Sequence, residues 1–192
     1  VDLGGPLESV TKAEIDEQTY AVFGQASYRP IEPLTLTAGL RYEIFDSQLD
    51  NSEVSSVMGT ATFNNESNNG EELIPRFAVE YAINPDIMVY GSIARGYRAQ
   101  GGNFRATELD QIPFDAEKSW NYEAGVRTSW LDNRLTTNLT VFHNPINDYQ
   151  VPSTNPETGM FDFVDNAEVT INGIEAELRA RPIVGLDLTA GF

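Results

Sequence analysis

Residues 120–130, W-N-Y-E-A-G-V-R-T-S-W, carry two different surfaces on one stretch of chain. Trp120, Tyr122, Ala124, Val126, Thr128 and Trp130 are uncharged, with an aromatic at or near each end, whereas Asn121, Glu123, Gly125, Arg127 and Ser129 form a polar set. Successive side chains on a strand point to opposite faces, so the stretch is a strand with one apolar and one wet side. Alternation alone would suit a soluble sandwich. The aromatic ends narrow the choice, because Trp and Tyr gather where an apolar slab meets water, and a spanning strand needs about 9–11 tilted residues.

The pattern recurs along the chain. In 34–44, Leu34, Leu36, Ala38, Leu40, Tyr42 and Ile44 oppose Thr35, Thr37, Gly39, Arg41 and Glu43. Related alternation marks strands at 19–29, 74–83, 87–97, 135–144 and 169–181, and an eighth begins at Leu186. Between them the connections run short, long, short, long, short, long, short. The long ones are 46–73, 98–116 and 147–168; the first and third contain acids and no base and read as solvated loops, with a small hairpin around 55–63. Residues 1–17, acidic and with Gly4-Gly5-Pro6, read as a loop that leaves room for a helical turn after Thr11. Greek-key sandwiches show no such strict rhythm, whereas an outer-membrane barrel does, with short turns on one rim and long loops on the other. An internal echo agrees: Arg29-Pro30-Ile31-x-x-Leu34-x-Leu36-Thr37-Ala38-Gly39 returns as Arg181-Pro182-Ile183-x-x-Leu186-x-Leu188-Thr189-Ala190-Gly191, at the first and fourth short turns.

Composition excludes several functions. A formal charge of -17, from 29 acids and 12 bases, argues against a nucleic-acid partner. The absence of cysteine leaves no thiolate nucleophile or ligand. No apolar run is long enough for a membrane helix, which leaves barrel strands untouched as a possibility. The single histidine, His143, gives no Ser-His-Asp relay and no His-rich metal site, so neither catalytic residues nor a metal or cofactor are expected.

In Ala21-Val22-Phe23-Gly24-Gln25-Ala26, Leu34–Tyr42, Val89-Tyr90-Gly91-Ser92-Ile93-Ala94-Arg95-Gly96-Tyr97-Arg98-Ala99-Gln100-Gly101-Gly102-Asn103-Phe104, Glu117-Lys118-Ser119-Trp120-Asn121-Tyr122-Glu123-Ala124-Gly125 and Asn172-Gly173-Ile174-Glu175-Ala176-Glu177-Leu178, the chain resembles the TonB-dependent outer-membrane receptors. The resemblance implies a 22-stranded barrel with an N-terminal plug, which takes up ferric siderophores or similar scarce ligands with energy from TonB. The fold expected here is all-β: an antiparallel, up-and-down transmembrane barrel segment of about eight strands, residues 1–192, with 1–17 as a loop and no plug. The implied location is the bacterial outer membrane; the implied partners are its lipid, a small-molecule ligand such as a ferric siderophore, and TonB through segments outside this stretch. A general porin or adhesin barrel, or a soluble β-rich carbohydrate-binding module, remains as the alternative.

Within this pattern, 96–104 stands out. Arg95, Arg98 and Arg105 bring positive charge to an acidic rim, and Tyr97 and Phe104 supply flat faces, a pairing suited to an anionic, ring-bearing ligand. Tyr97, Arg98, Phe104 and Arg105 are the candidate ligand contacts. The competing account is structural: the glycines permit close packing at the mouth and the arginines pair with lumen carboxylates. On the wall itself, Thr37 and Gly125 on the wet face are expected to accept an arginine more readily than Leu40 or Ala124 on the apolar face.

Overall fold

The computed structural model describes residues 10–56, 59–63, 66–103, 113–154 and 161–192. These form eleven strands: β1 (Val10–Ile31), β2 (Leu34–Ser56), β3 (Gly59–Phe63), β4 (Glu66–Asn84), β5 (Ile87–Arg98), β6 (Gly101–Gly102), β7 (Pro113–Phe114), β8 (Glu117–Trp130), β9 (Leu135–Thr154), β10 (Phe161–Ile183) and β11 (Leu186–Gly191). Eight of them pair in the order β1-β2-β4-β5-β8-β9-β10-β11, an antiparallel meander; β3 folds back on β2, and β6 pairs with β7 apart from the main sheet. The sheet is open, with β1 and β11 as its edges.

Register aligns the apolar rows. Tyr28, Leu36, Val79, Gly91, Ala124, Val141 and Ile174 lie directly opposite one another across seven strands. That row starts three residues from the turn end of β1 and finishes nine from the turn end of β10, the stagger that tilted barrel strands require. Aromatics mark both ends of the outward face. Tyr28, Tyr81 and Trp130 stand near the short turns, and Tyr20, Tyr42 and Tyr122 near the opposite end. Eight residue steps from Tyr122 to Trp130 cover about 26 Å along the strand, which a tilt of about 40° projects to roughly 20 Å, within the height of a lipid-facing band.

The wall is one layer thick. Phe45 and Ile146 are the only buried apolar residues among those described, while Val22, Phe77 and Ile174 are 69%, 53% and 59% exposed. The accessible surface is 13582 Å², against about 9,000 Å² expected for a compact globule of this mass. A sheet like this has no core of its own, so its apolar face must be buried against hydrocarbon.

The inward face is polar and closely fitted. Tyr90 lies opposite Gly125, and Phe142 opposite Gly173. Each ring covers its glycine, and a Cβ on Gly125 would meet the Tyr90 ring at 2.6 Å and the Leu139 carbonyl at 2.7 Å. Gly125 is therefore not the tolerant position expected from the alternation. Thr37 instead lies between Ser27 and Ala78 on the neighbouring strands and shares a 2.9 Å hydroxyl contact with Ser27.

Three expected loops are largely strand. Residues 10–17 belong to β1 and pair with β2, so the loop expected over 1–17 is corrected there; residues 1–9 lie outside the described part. The span 46–73 is taken up by the ends of β2 and β4 and by β3, and the expected hairpin at 55–63 appears as the pairing of Ser56 with Gly59. In 147–168, β9 continues to Thr154 and β10 begins at Phe161. The physical reason is common to all three. Alternation records burial in lipid, and beyond the lipid both faces meet water while the backbone ladder continues.

The short-turn rim is regular. Backbone N–H groups of Ala82, Ser129 and Arg181 donate to the carbonyls of Pro33, Asp86 and Arg134, so each turn is joined to a neighbouring hairpin. The two copies of the repeated sequence build the same feature: register slips between Tyr28 and Ile31 and between Ala180 and Ile183, with Pro30 and Pro182 inside the irregularity. A bulge is where a strand tolerates a residue without an N–H. In the β8–β9 turn, Leu131, Asp132 and Asn133 all have positive φ, near 56°, 55° and 64°.

Replacing Leu40 or Ala124 by arginine is expected to destabilise the barrel by about 2–4 kcal/mol near the bilayer midplane. Thr37→Arg should cost less. Reversible folding into lipid vesicles measures all three, and equal costs on the two faces would overturn the assignment.

Candidate ligand-facing site at the lumen mouth

The β4–β5 ladder stops at Arg76 and Ala94, although β5 continues beside β8 as far as Arg98 and Glu117. Pro75, which has no N–H to donate, stands where β4 parts from β5. Side chains close the gap. Arg95 Nε donates to Glu72 Oε1 at 2.6 Å, and Lys118 Nζ lies 3.1 Å from Glu72 Oε2. Glu72 is mostly buried between its two cations, and the Arg95 guanidinium also lies 5.4 Å from the centre of the Trp120 ring. Tyr97 enters the same cluster. Burial, then the Glu72 and Glu43 carboxylates, raise its phenol above the ordinary tyrosine value, so it stays protonated and donates to Gln100 Oε1 at 3.3 Å.

Arg98 sits differently. It lines a cavity of about 330 Å³ on the lumen side together with Phe45, Ser47, Gly101, Phe114 and Gln150. It is exposed and takes part in none of the ion pairs recorded among the described residues. Tyr97 and Arg98 are thus separated: one belongs to the ion cluster at the β4–β5 seam, the other faces the cavity. Phe104 and Arg105 lie outside the described residues.

Lower on the inner wall, Arg127 packs 4.7 Å from the centre of the Tyr90 ring, and the Tyr90 hydroxyl meets Thr140 Oγ1 at 2.7 Å. Asn121, Asn138 and Asn144 present buried side-chain carbonyl oxygens without a protein partner, so this face requires water or another polar surface against it. His143 stands beside Tyr122 on the outward face and its Nδ1 contacts Asn172 Oδ1 at 2.5 Å, a membrane-side polar pair.

Several site residues escaped the reading of the sequence. Gln150 and Asn166 fall in the span taken for a loop, and Glu72 in an acidic run that carries no positional signal. Only pairing across strands brings them to the mouth.

A family model described as "TonB dependent receptor-like, beta-barrel" matches residues 2–192. The pesticin receptor of Yersinia enterocolitica is 27% identical over 165 residues, covering 85% of this chain and 24% of the relative. The ferric-pyoverdine M114 receptor PbuA of Pseudomonas sp. strain M114 is 24% identical over 189 residues, 98% of this chain and 22% of that one. Among solved structures, the ferric yersiniabactin uptake receptor FyuA of Yersinia pestis superposes with a TM-score of 0.79 at 22% identity, over 95% of this chain and 28% of that one. The chain spans about a quarter of the length of the curated relatives it matches.

Because Glu72 neutralises two cations while largely buried, Glu72→Gln should destabilise the wall by about 1–3 kcal/mol. Glu177→Gln, which removes the exposed partner of Arg179, should change stability by less than about 0.5 kcal/mol. Vesicle-folding titrations of the two variants check the contrast.

Proposed function

Since the chain belongs to the TonB-dependent receptor-like β-barrel family, we propose that it is part of a receptor that imports a ferric siderophore, or a similar scarce chelate, with energy from TonB. The wall lies in the outer membrane of a Gram-negative bacterium, its apolar face against lipid. The observation that carries the reading is the family match across almost the whole chain, on a sheet one layer thick with a charged inner face. Of the relatives named above, PbuA is a receptor for ferric pyoverdine, which supports an iron chelate as the ligand. The family match favours this reading over a porin, an adhesin or a soluble carbohydrate-binding module. On this reading the chain is a scaffold and carries no catalysis.

Ligand contact is assigned to the β5–β8 connection, through Tyr97, Arg98, Phe104 and Arg105. Arg98 is the best supported of the four, because it is exposed and lines a cavity that Phe45 and Phe114 also line. Tyr97 is already engaged in the Glu72 cluster and is better suited to holding the rim. The acidic spans 46–73 and 147–168 contain no base and repel an anion, whereas charge attraction in a partly enclosed mouth is screened less than on an open surface.

In the full-length receptor, uptake of radio-iron offered as ferric pyoverdine or ferric yersiniabactin is expected under iron limitation and should vanish without TonB. Iron uptake that ignores TonB, or no TonB-dependent uptake across a panel of ferric chelates, would contradict the proposal. Replacing Arg98 and Arg105 together by glutamine should weaken binding of the transported chelate about ten-fold and flatten its salt dependence, with folding unchanged. Unaltered affinity would leave these arginines as rim structure.

A further inference from the structure

The connection that leaves the wall at Arg98 and rejoins it at Glu117 does not simply project from the rim. Its described ends pair with each other, Gly101 with Phe114 and Gly102 with Pro113, and form a short strap. The Phe114 ring lies against Gly101, where a Cβ would come within 2.5 Å of it. Side-chain amides, two on the strap and two on the wall, tie this strap to three wall strands. On β4 the tie is to the backbone: Gln100 Nε2 donates to the Asn69 carbonyl at 2.7 Å. On β9, Gln150 Nε2 donates to the carbonyls of Ala99 at 2.9 Å and Asp115 at 3.2 Å, one from each arm of the strap. On β10, Asn103 exchanges two bonds with the Val164 backbone, 2.9 Å and 2.7 Å, as a strand neighbour would. Asn166 does the same with Asp115: the Asp115 N–H donates to Oδ1 at 2.8 Å, and Nδ2 donates to the carbonyl at 3.2 Å and to that of Asp148 at 2.7 Å.

A primary amide is the one side-chain group that offers a donor and an acceptor at the same site, so it can replace a missing ladder partner for backbone that has left the sheet. Gln150 and Asn103 are each only 6% exposed, which makes the bonds costly to lose. The consequence is positional. Arg98 immediately precedes the clamped segment and lines the same cavity as Gln150, so the clamp fixes where its charge stands.

We propose that Gln150, Asn103 and Asn166 are positioning residues that hold the strap, and with it Arg98, against the inner wall in the absence of any ligand. The effect on ligand affinity rests on the receptor reading above; the anchoring itself does not.

Gln150→Glu tests it in the full-length receptor in detergent. The change keeps the shape but turns a donor that faces two carbonyls into an acceptor when ionised. Glu17, Arg98, Asp115 and Glu117 are the charged groups around it. Hydrogen exchange, corrected for intrinsic rates, should show protection of the 99–103 amides reduced about ten- to hundred-fold at neutral pH. Protection should recover at low pH, where the protonated carboxyl can donate again. Gln150→Leu should lose protection at every pH, and β8 and β9 should stay protected in both variants. Unchanged protection in Gln150→Glu, or exchange of 99–103 in the parent as fast as in an unfolded peptide, overturns the anchoring whatever the transport assays give. If Gln150→Glu fails to fold, Asn166→Asp applies the same donor loss on β10, with the same two outcomes. A receptor with a protected strap that binds no iron chelate would instead count against the proposed function alone.

Discussion

Backbone hydrogen bonding in hydrocarbon governs this structure. A peptide group facing lipid has no water to turn to, so each N–H and C=O must find its partner in the neighbouring strand. That requirement explains why the eight wall strands run as an antiparallel meander, each paired to the next wall strand along the chain. It also explains where prolines occur. Pro30 and Pro182 sit in bulges at the short-turn rim, and Pro75 stands at the place where β4 and β5 separate. Pro145 is the exception: it lies inside β9 opposite Thr170 of β10, where the β8–β9 pairing skips from Ile146 to His143.

Once the backbone is satisfied, the side chains divide the work between two solvents. The outward face needs only to be apolar and of the right height, and its aromatic ends set that height. The inward face is more constrained. Glycines at 125 and 173 admit the Tyr90 and Phe142 rings, and Glu72 stitches two strands where the ladder has ended. A wall one layer thick gains little from a core, so these local fits replace core packing.

The mouth follows a third rule. Where the chain leaves the sheet between β5 and β8, it carries its unpaired backbone groups to the inner wall, and amide side chains from β9 and β10 complete them. The strap is ordered by the same demand that orders the wall, met by side chains instead of a neighbouring strand. Its position brings Arg98 to the same cavity as Phe45 and Phe114, which lie far apart in sequence.

Alternation in 34–44 and 120–130, and the rhythm of short and long connections, determined the fold class, the outward rows and the order of strands, because lipid on one face and water on the other imprint a period of two on the residues. The echo at Arg29 and Arg181 likewise pointed to two equivalent turns, which the structure shows to be bulged. Strand length was not legible in 10–17, 46–73 or 147–168, since a strand with water on both sides leaves no period behind. The crowding at Gly125 was equally hidden: a glycine on a polar row reads as open space until the register sets Tyr90 across from it. Only the tertiary structure separated Tyr97 from Arg98 and assigned Gln150, Asn103 and Asn166 to one strap. Amides satisfy backbone groups wherever folding happens to bring them, and that meeting is a property of strand pairing that local sequence does not encode.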